Sequence, residues 1–379
     1  MRFLEADQTV CDALLPGLRE QLAAIPLSEL ESENNQAIKL FRAHGGPNLL
    51  VPKAYGGIGA TALEAVRTQR ALGAVAPSLT VATMMHHFSI GTLYAVADAV
   101  GADSGLDELL LKRVAGDRLL VASGFAEGRT NQGILAPQVE AVPTEGGYLI
   151  TGSKKPCSLA GSMDLLTASV GVRDANGDIG MGFLMLPADT PGVSIHPFWS
   201  SFALAGAQSH EVRLTNVFVT EDQIIKPDPA LADELDELQT VGLIWFEMMV
   251  CAAYTGMASA LVARVLDRGR GAVSDRAALA VRIETAAALT EGLARRVLDD
   301  EVGNDGLAQA LVTRFAVQDA VCQAVNQAVE LLGGMAYVSS PDVAYLAAAS
   351  QAIAFHPPSR GSVAGSLVDY YGGAPIVVA

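Results

Sequence analysis

The stretch that decides the fold runs from Val121 to Gly161, VASGFAEGRTNQGILAPQVEAVPTEGGYLITGSKKPCSLAG. It reads as two strand pairs with a long polar loop between them. The second half is the clearer. Residues 138–142 alternate in polarity and end at Pro143; Glu145-Gly146-Gly147 is a turn signal, and Tyr148-Leu149-Ile150 resumes the strand. Residues 152–156 break the alternation, and Cys157-Ser158 lead into Leu159-Ala160-Gly161. Periodicity alone gives a β-meander with glycine turns.

Composition bounds the rest. The chain has 379 residues, 50% hydrophobic and 17% charged, enough for a large core in two or three domains. A formal net charge of -16 repels phosphate backbones and anionic headgroups, which argues against nucleic-acid and membrane partners. It does not draw in an anionic CoA ester either, so a CoA site would need a local basic patch. Cys11, Cys157, Cys251 and Cys322 have no metal-ligand spacing and predict buried thiols in a reduced, cytoplasmic setting. The N-terminus carries acidic residues and no signal-peptide pattern. The apolar run 241–257 holds Glu247, Tyr254 and Thr255 between helical segments, which predicts a buried helix and not a membrane span.

Two motifs then carry a resemblance. Residues 147–154, GYLITGSK, follow residues 122–127, ASGFAE, by some twenty positions (roughly a motif spacing). Together they resemble the central β domain of the acyl-CoA dehydrogenase family, in which an A-x-T-E-P type run precedes a G-Y-x-L-N-G-x-K-x-W-I-T hairpin and the two strand ends hold a flavin ring. Residues 50–59, LVPKAYGGIG, resemble the family's P-x-x-Y-G-G-x-G turn, where glycines supply positive φ. The likeness covers nearly the whole chain. It implies an α+β fold: an N-terminal helical domain over 1–119, a central β-barrel-like domain over 120–225 and a C-terminal four-helix bundle over 226–379.

Within that frame, residues 12–22, 35–44, 62–73 and 78–96 read as the N-terminal helices. His86 and His87 sit in the last; adjacent histidines cannot share a helix face, so a two-His metal site is disfavoured, with one ring buried and one bordering a cavity. Strands follow over 165–172, 182–186, 193–196 and 203–220, and His210 reads as a loop histidine. Asp228-Pro229 and the acidic run 233–237 read as a linker, and helices are expected over 243–266, 276–299, 307–332 and 343–355.

The resemblance also implies the chemistry. It places FAD against Phe125, Ala126, Pro156, Cys157 and Ser158. Glu330–Tyr337 is similar to the family's Q-x-L-G-G-x-G-Y, so Gly333 and Gly334 would approach the FAD phosphates of a neighbouring subunit in a homodimer or homotetramer. The family's R-Q-F-G is reduced here to Asp267-Arg268-Gly269-Arg270-Gly271, which leaves Arg270 for that contact. Gln132 falls where the family contacts CoA, and Tyr254 is a second substrate-contact candidate. The family's I-Y-E-G-T base segment becomes Ala354-Phe355-His356-Pro357-Pro358, so His356 replaces the glutamate. A helix C-terminus is expected to favour its protonated form. Glu247, lone in an apolar helix, is the alternative base, or else one half of an ion pair with an arginine. Pro156-Cys157-Ser158 replaces W-I-T and opens one side of the flavin. The first reading is oxidation of an acyl thioester, on CoA or a carrier protein, in specialised metabolism, with an electron-transfer partner or oxygen as acceptor. The other is a monooxygenase of the same fold that works through a flavin peroxide.

Overall fold

The computed structural model describes residues 3–100, 106–129, 133, 135–173, 177, 179–225 and 232–378. Helices come first: α1 (Glu5–Leu14), α2 (Leu18–Ala23), α3 (Leu27–Leu30), α4 (Ala37–Ala43), α5 (Ala62–Gly73), α6 (Pro77–Val100) and α7 (Leu106–Asp117). Strands follow: β1 (Val121–Gly124), β2 (Glu140–Thr144), β3 (Gly147–Cys157), β4 (Leu165–Arg173), β5 (Ile179–Pro187), β6 (Val193–His196), β7 (His210–Thr220) and β8 (Ile224–Ile225). Helices return as α8 (Ala232–Asp267), α9 (Val273–Leu298), α10 (Asn304–Leu332), α11 (Gly334–Ser339), α12 (Pro341–Gln351) and α13 (Arg360–Tyr371). The chain is α+β with a helical C-terminal region.

Local chemistry explains the element ends. Helix α5 starts where Thr61 and Glu64 form a reciprocal capping box, the Thr61 hydroxyl accepting from the Glu64 N–H at 3.2 Å. The expected single helix over 12–22 is broken at Pro16-Gly17, where Gly17 adopts φ 78°. The acidic run 233–237 is not a linker. It forms the first turns of α8, where negative charge suits the helix N-terminus.

Helix α8 is the central pillar and packs against α5, α6, α9, α10 and α12. Its apolar stretch is long enough to cross a membrane by length, but 78% of it is buried inside the fold. Met248, Met249, Val250, Leu261 and Val262 are fully buried, each worth about 1.5–3 kcal/mol. Close approach to α5 depends on Gly256, where a Cβ would come within 2.3 Å of the Arg70 carbonyl oxygen.

The sheet runs β6-β7-β3-β2-β4-β5-β8. Strands β2 and β3 form the expected hairpin, with Gly146 at φ 78° in the turn. The first half of the 121–161 stretch is not a second hairpin, however. Strand β1 pairs in parallel with β4, Val121 opposite Leu165. Residues 152–156 do not end β3 either; the strand continues to Cys157 through two register irregularities against β7.

Candidate functional site

A cavity of about 510 Å3 opens between the sheet, α6 and α8. Two strand ends make one wall. Beyond β1, the Lys155 N–H donates to the Ala126 carbonyl at 2.8 Å, and Glu127 bridges in parallel to Lys155. That pairing sets Phe125 and Ala126 beside Pro156 and Ser158, and all four line the cavity. Behind them lies a buried ion pair, Lys154 Nζ to Glu127 Oε1 at 2.8 Å. Burial lowers the Lys154 pKa while Glu127 opposes the shift. The Glu127 carboxylate also accepts the Gln138 and Val139 N–H groups at 3.1 Å, fixing the chain that enters β2.

The remaining walls are largely apolar. Phe88 of α6 meets Phe246 of α8 edge-on at 5.5 Å, and Phe125 meets Phe183 of β5 at 5.8 Å. Hydroxyls of Ser123, Ser158 and Thr167 lie along the strand side. The Ser123 oxygen is buried with no hydrogen-bond partner, while Ser158 shares a hydrogen bond with Ser209 at 2.9 Å. No carboxylate lines the cavity among the described residues.

His356 is the imidazole on this wall. It follows the Ala352–Phe355 turn at φ -72°, ψ 138°, extended as a residue before proline must be. Its Nε2 lies 2.7 Å from the Tyr254 hydroxyl, and its ring meets the Phe246 ring at 6.1 Å. Burial, and then the charge of Arg314, pull its pKa down to about 3. The expected protonated form is therefore not the resting one: loss of solvent outweighs any stabilisation from the preceding short turn. Burial raises the pKa of Tyr254, so the pair is uncharged near neutrality.

Glu247 does not reach this wall. It is fully buried, with Oε2 3.1 Å from Arg314 Nε in an ion pair between α8 and α10. Burial raises its carboxyl pKa, and the Arg314 guanidinium beside it pulls the other way, towards the ionised form. Tyr254 is also fully buried and reaches the cavity only through His356. Cys157 points away, its thiol donating to the Ser123 carbonyl at 3.4 Å and raised by burial to about 12. Gly333 takes φ 84°, ψ 162°, beside exposed Gly334. Exposed Arg270 lies in the α8–α9 loop, whose Gly271 packs against Leu331 near that glycine pair and away from the cavity wall. Gln132 lies outside the described residues.

Both His86 and His87 are buried, and neither borders the cavity. His86 Nδ1 accepts the Val121 N–H at 3.1 Å and Nε2 meets the Pro47 carbonyl at 2.9 Å. Among the described residues no cluster could hold a metal. His210 opens β7, 3.5 Å from Glu33. Three residues escaped the sequence reading: Phe88, hidden in an evenly apolar helix; Lys154, whose ion pair joins distant segments; and Arg314. The last did leave a signal, a lone arginine in the apolar run Leu311–Val317, the same signal that drew attention to Glu247.

No family model matches the chain. An isobutylamine N-hydroxylase from Streptomyces viridifaciens is 50% identical over 378 residues, covering 100% of both chains. The chain belongs to the acyl-CoA dehydrogenase-like flavoproteins. Their fold is matched by a nitrososynthase from Micromonospora carbonacea var. africana, with TM-score 0.81, 22% identity and coverage of 97% and 96% of the two chains. An FAD complex of PigA matches with TM-score 0.78, 16% identity and coverage of 97% and 98%. The protein is thus a flavin-dependent oxidoreductase with the acyl-CoA dehydrogenase fold. Its residues fit a flavin: the strand ends offer a flat apolar wall, and the partnerless Ser123 hydroxyl and the Ser158 hydroxyl offer polar contacts at its edge.

Proposed function

We propose that this protein N-hydroxylates a small primary aliphatic amine, using reduced flavin and dioxygen. The observation that carries the reading is His356. It stands where a dehydrogenase of this fold would hold its carboxylate base, yet it is held uncharged and hydrogen-bonded to Tyr254. A ring whose pKa is about 3 is a poor base for an α-proton. That weakens oxidation of an acyl thioester, the other reading of the sequence. The full-length likeness to an isobutylamine N-hydroxylase supports the amine.

The overall step balances as amine plus dioxygen plus reduced flavin giving hydroxylamine, water and oxidised flavin. Bound flavin supplies two electrons and, with dioxygen, the electrophilic oxygen. The chain's own residues do the rest. Phe88, Phe125, Phe183 and Phe246 enclose a short alkyl group and exclude water. With no carboxylate on the described wall, an ammonium has no counter-charge, so the amine is held as the free base, the form whose nitrogen lone pair can react. His356 and Ser158 orient polar groups at the reacting edge.

FAD is the flavin we favour, held at the strand ends. Its phosphates would meet Arg270, Gly333 and Gly334 of a neighbouring copy in a dimer or tetramer. Exposed Met335, Tyr337 and Val338 beside those glycines support such a contact. The free thiols of all four cysteines fit a cytoplasmic setting. Two reactions test the function. Aerobic turnover with a flavin reductase and isobutylamine should yield the hydroxylamine by mass spectrometry. Anaerobic reduction of bound flavin by a CoA ester, with no hydroxylamine from any short amine, would overturn the proposal.

A further inference from the structure

Arg314 has no place in the chemistry above, yet few side chains in the protein are more thoroughly enclosed. It is 1% exposed and reaches three elements at once. Nη2 donates to the carbonyl of Ile353, within the turn that presents His356. Nη1 donates to Gln318 on its own helix α10 at 3.0 Å. Nε lies 3.1 Å from Glu247 on α8, and Tyr254, two helical turns further along α8, hydrogen-bonds His356. Tyr254 and Phe246 of α8 meet the ring directly, and Arg314 of α10 is the charged group that acts on it.

We propose that Arg314 is a positioning residue for His356: it ties the Ala352–Phe355 turn to α10 and α8 and so holds the imidazole against Tyr254 at the cavity. Glu247 then has a role that needs no access to substrate. A guanidinium taken out of water requires a counter-charge, and Glu247 supplies it. This inference deepens the amine reading, resting on it for the reaction that His356 serves but not for the coupling itself.

The test uses flavin-loaded full-length protein labelled with 15N-histidine, with the His356 resonance identified by its loss in His356→Gln. In the wild type that ring should stay neutral over about pH 5–8. In Arg314→Gln its pKa should rise by at least about one unit towards the ordinary histidine value, so that at pH 5 about a tenth of the ring is protonated where the wild type shows about a hundredth; Arg314→Lys should restore the neutral ring. Should Arg314→Gln fold poorly, the Glu247→Gln/Arg314→Gln double variant removes both charges at similar volume and should show the same upward move. A second readout is hydroxylamine formed per flavin oxidised. It should fall at least about fivefold in Arg314→Gln with flavin affinity unchanged, and recover in Arg314→Lys. A His356 whose pKa does not move in either glutamine variant, or a hydroxylamine yield unchanged in Arg314→Gln, overturns the proposal. Because the titration needs no amine, it can fail while N-hydroxylation stands, and it can succeed if the amine reading falls.

Discussion

Replacing Lys154 by methionine should loosen the wall proposed to hold the flavin, and the structure sets the size of the effect. Lys154 Nζ is 2.8 Å from Glu127 Oε1, with both side chains at most 2% exposed. Breaking a buried pair from one side costs about 3–5 kcal/mol, because the other charge is left behind. Glu127 keeps the Gln138 and Val139 N–H groups as donors, which places the cost at the low end, about 3 kcal/mol. Since 1.36 kcal/mol is tenfold, local opening should rise about 150-fold. A chain of 379 residues need not unfold in one step, so a local measurement is the right one. Hydrogen exchange at the Gln138 and Val139 amides reads the loss directly. Glu127→Leu/Lys154→Met should recover most of it, as both charges then leave together. Unchanged exchange and unchanged flavin affinity in Lys154→Met would refute the idea that this pair braces the site.

Tyr254→Phe removes the 2.7 Å partner of His356 without touching the cavity wall; hydroxylation should drop about tenfold, or about 1.4 kcal/mol, with flavin binding unchanged. The free-base requirement predicts kcat/KM for isobutylamine rising about tenfold per unit between about pH 6 and 9, because an alkylamine titrates near 10 as lysine does; a flat profile would mean the ammonium is bound. Acid should unfold the protein early. His86 titrates near 4 and His356 near 3, both below the ordinary 6.5. Between those values the unfolded chain binds more protons than the folded one, so stability is complete above about pH 6.5 and is lost as pH falls. His86 alone should cost about 2 kcal/mol between pH 7 and 5, visible as a lower urea midpoint.

What was legible in the sequence was what local chemistry decides. The Gly146 turn announced the β2–β3 hairpin, and Gly-Gly at 333–334 fixed the register that put His356 at the cavity. What was hidden depended on distant partners. Nothing in residues 121–124 says that they pair in parallel with 165–168, since a strand's partner is set by tertiary packing. The same holds for charge. His356 looked like a helix-end histidine inclined to protonate, because neither its burial nor Arg314, forty-two positions upstream by numbering, can be read from its neighbours. Glu247 and Arg314 were each anomalous in an apolar helix; only the fold joins them.

On the amine reading, the acidic surface and a cavity whose described wall carries Arg113 but no carboxylate divide the work on a cationic substrate. A net charge of -16 concentrates ammonium ions near the protein, so the long-range field favours the abundant protonated form. The described cavity wall offers that form no carboxylate, and the cation behind its floor, Arg314, is already paired with Glu247. On that reading an amine would give up its proton to enter, and the apolar walls would select it by the fit of its alkyl group. Salt and pH act on different stages of this path. Salt screens the approach and leaves the dry interior nearly untouched, whereas pH sets the fraction able to enter. The same division explains why Glu247 belongs beneath the wall and not on it: a carboxylate facing the cavity would stabilise the ammonium and hold the nitrogen in its unreactive form.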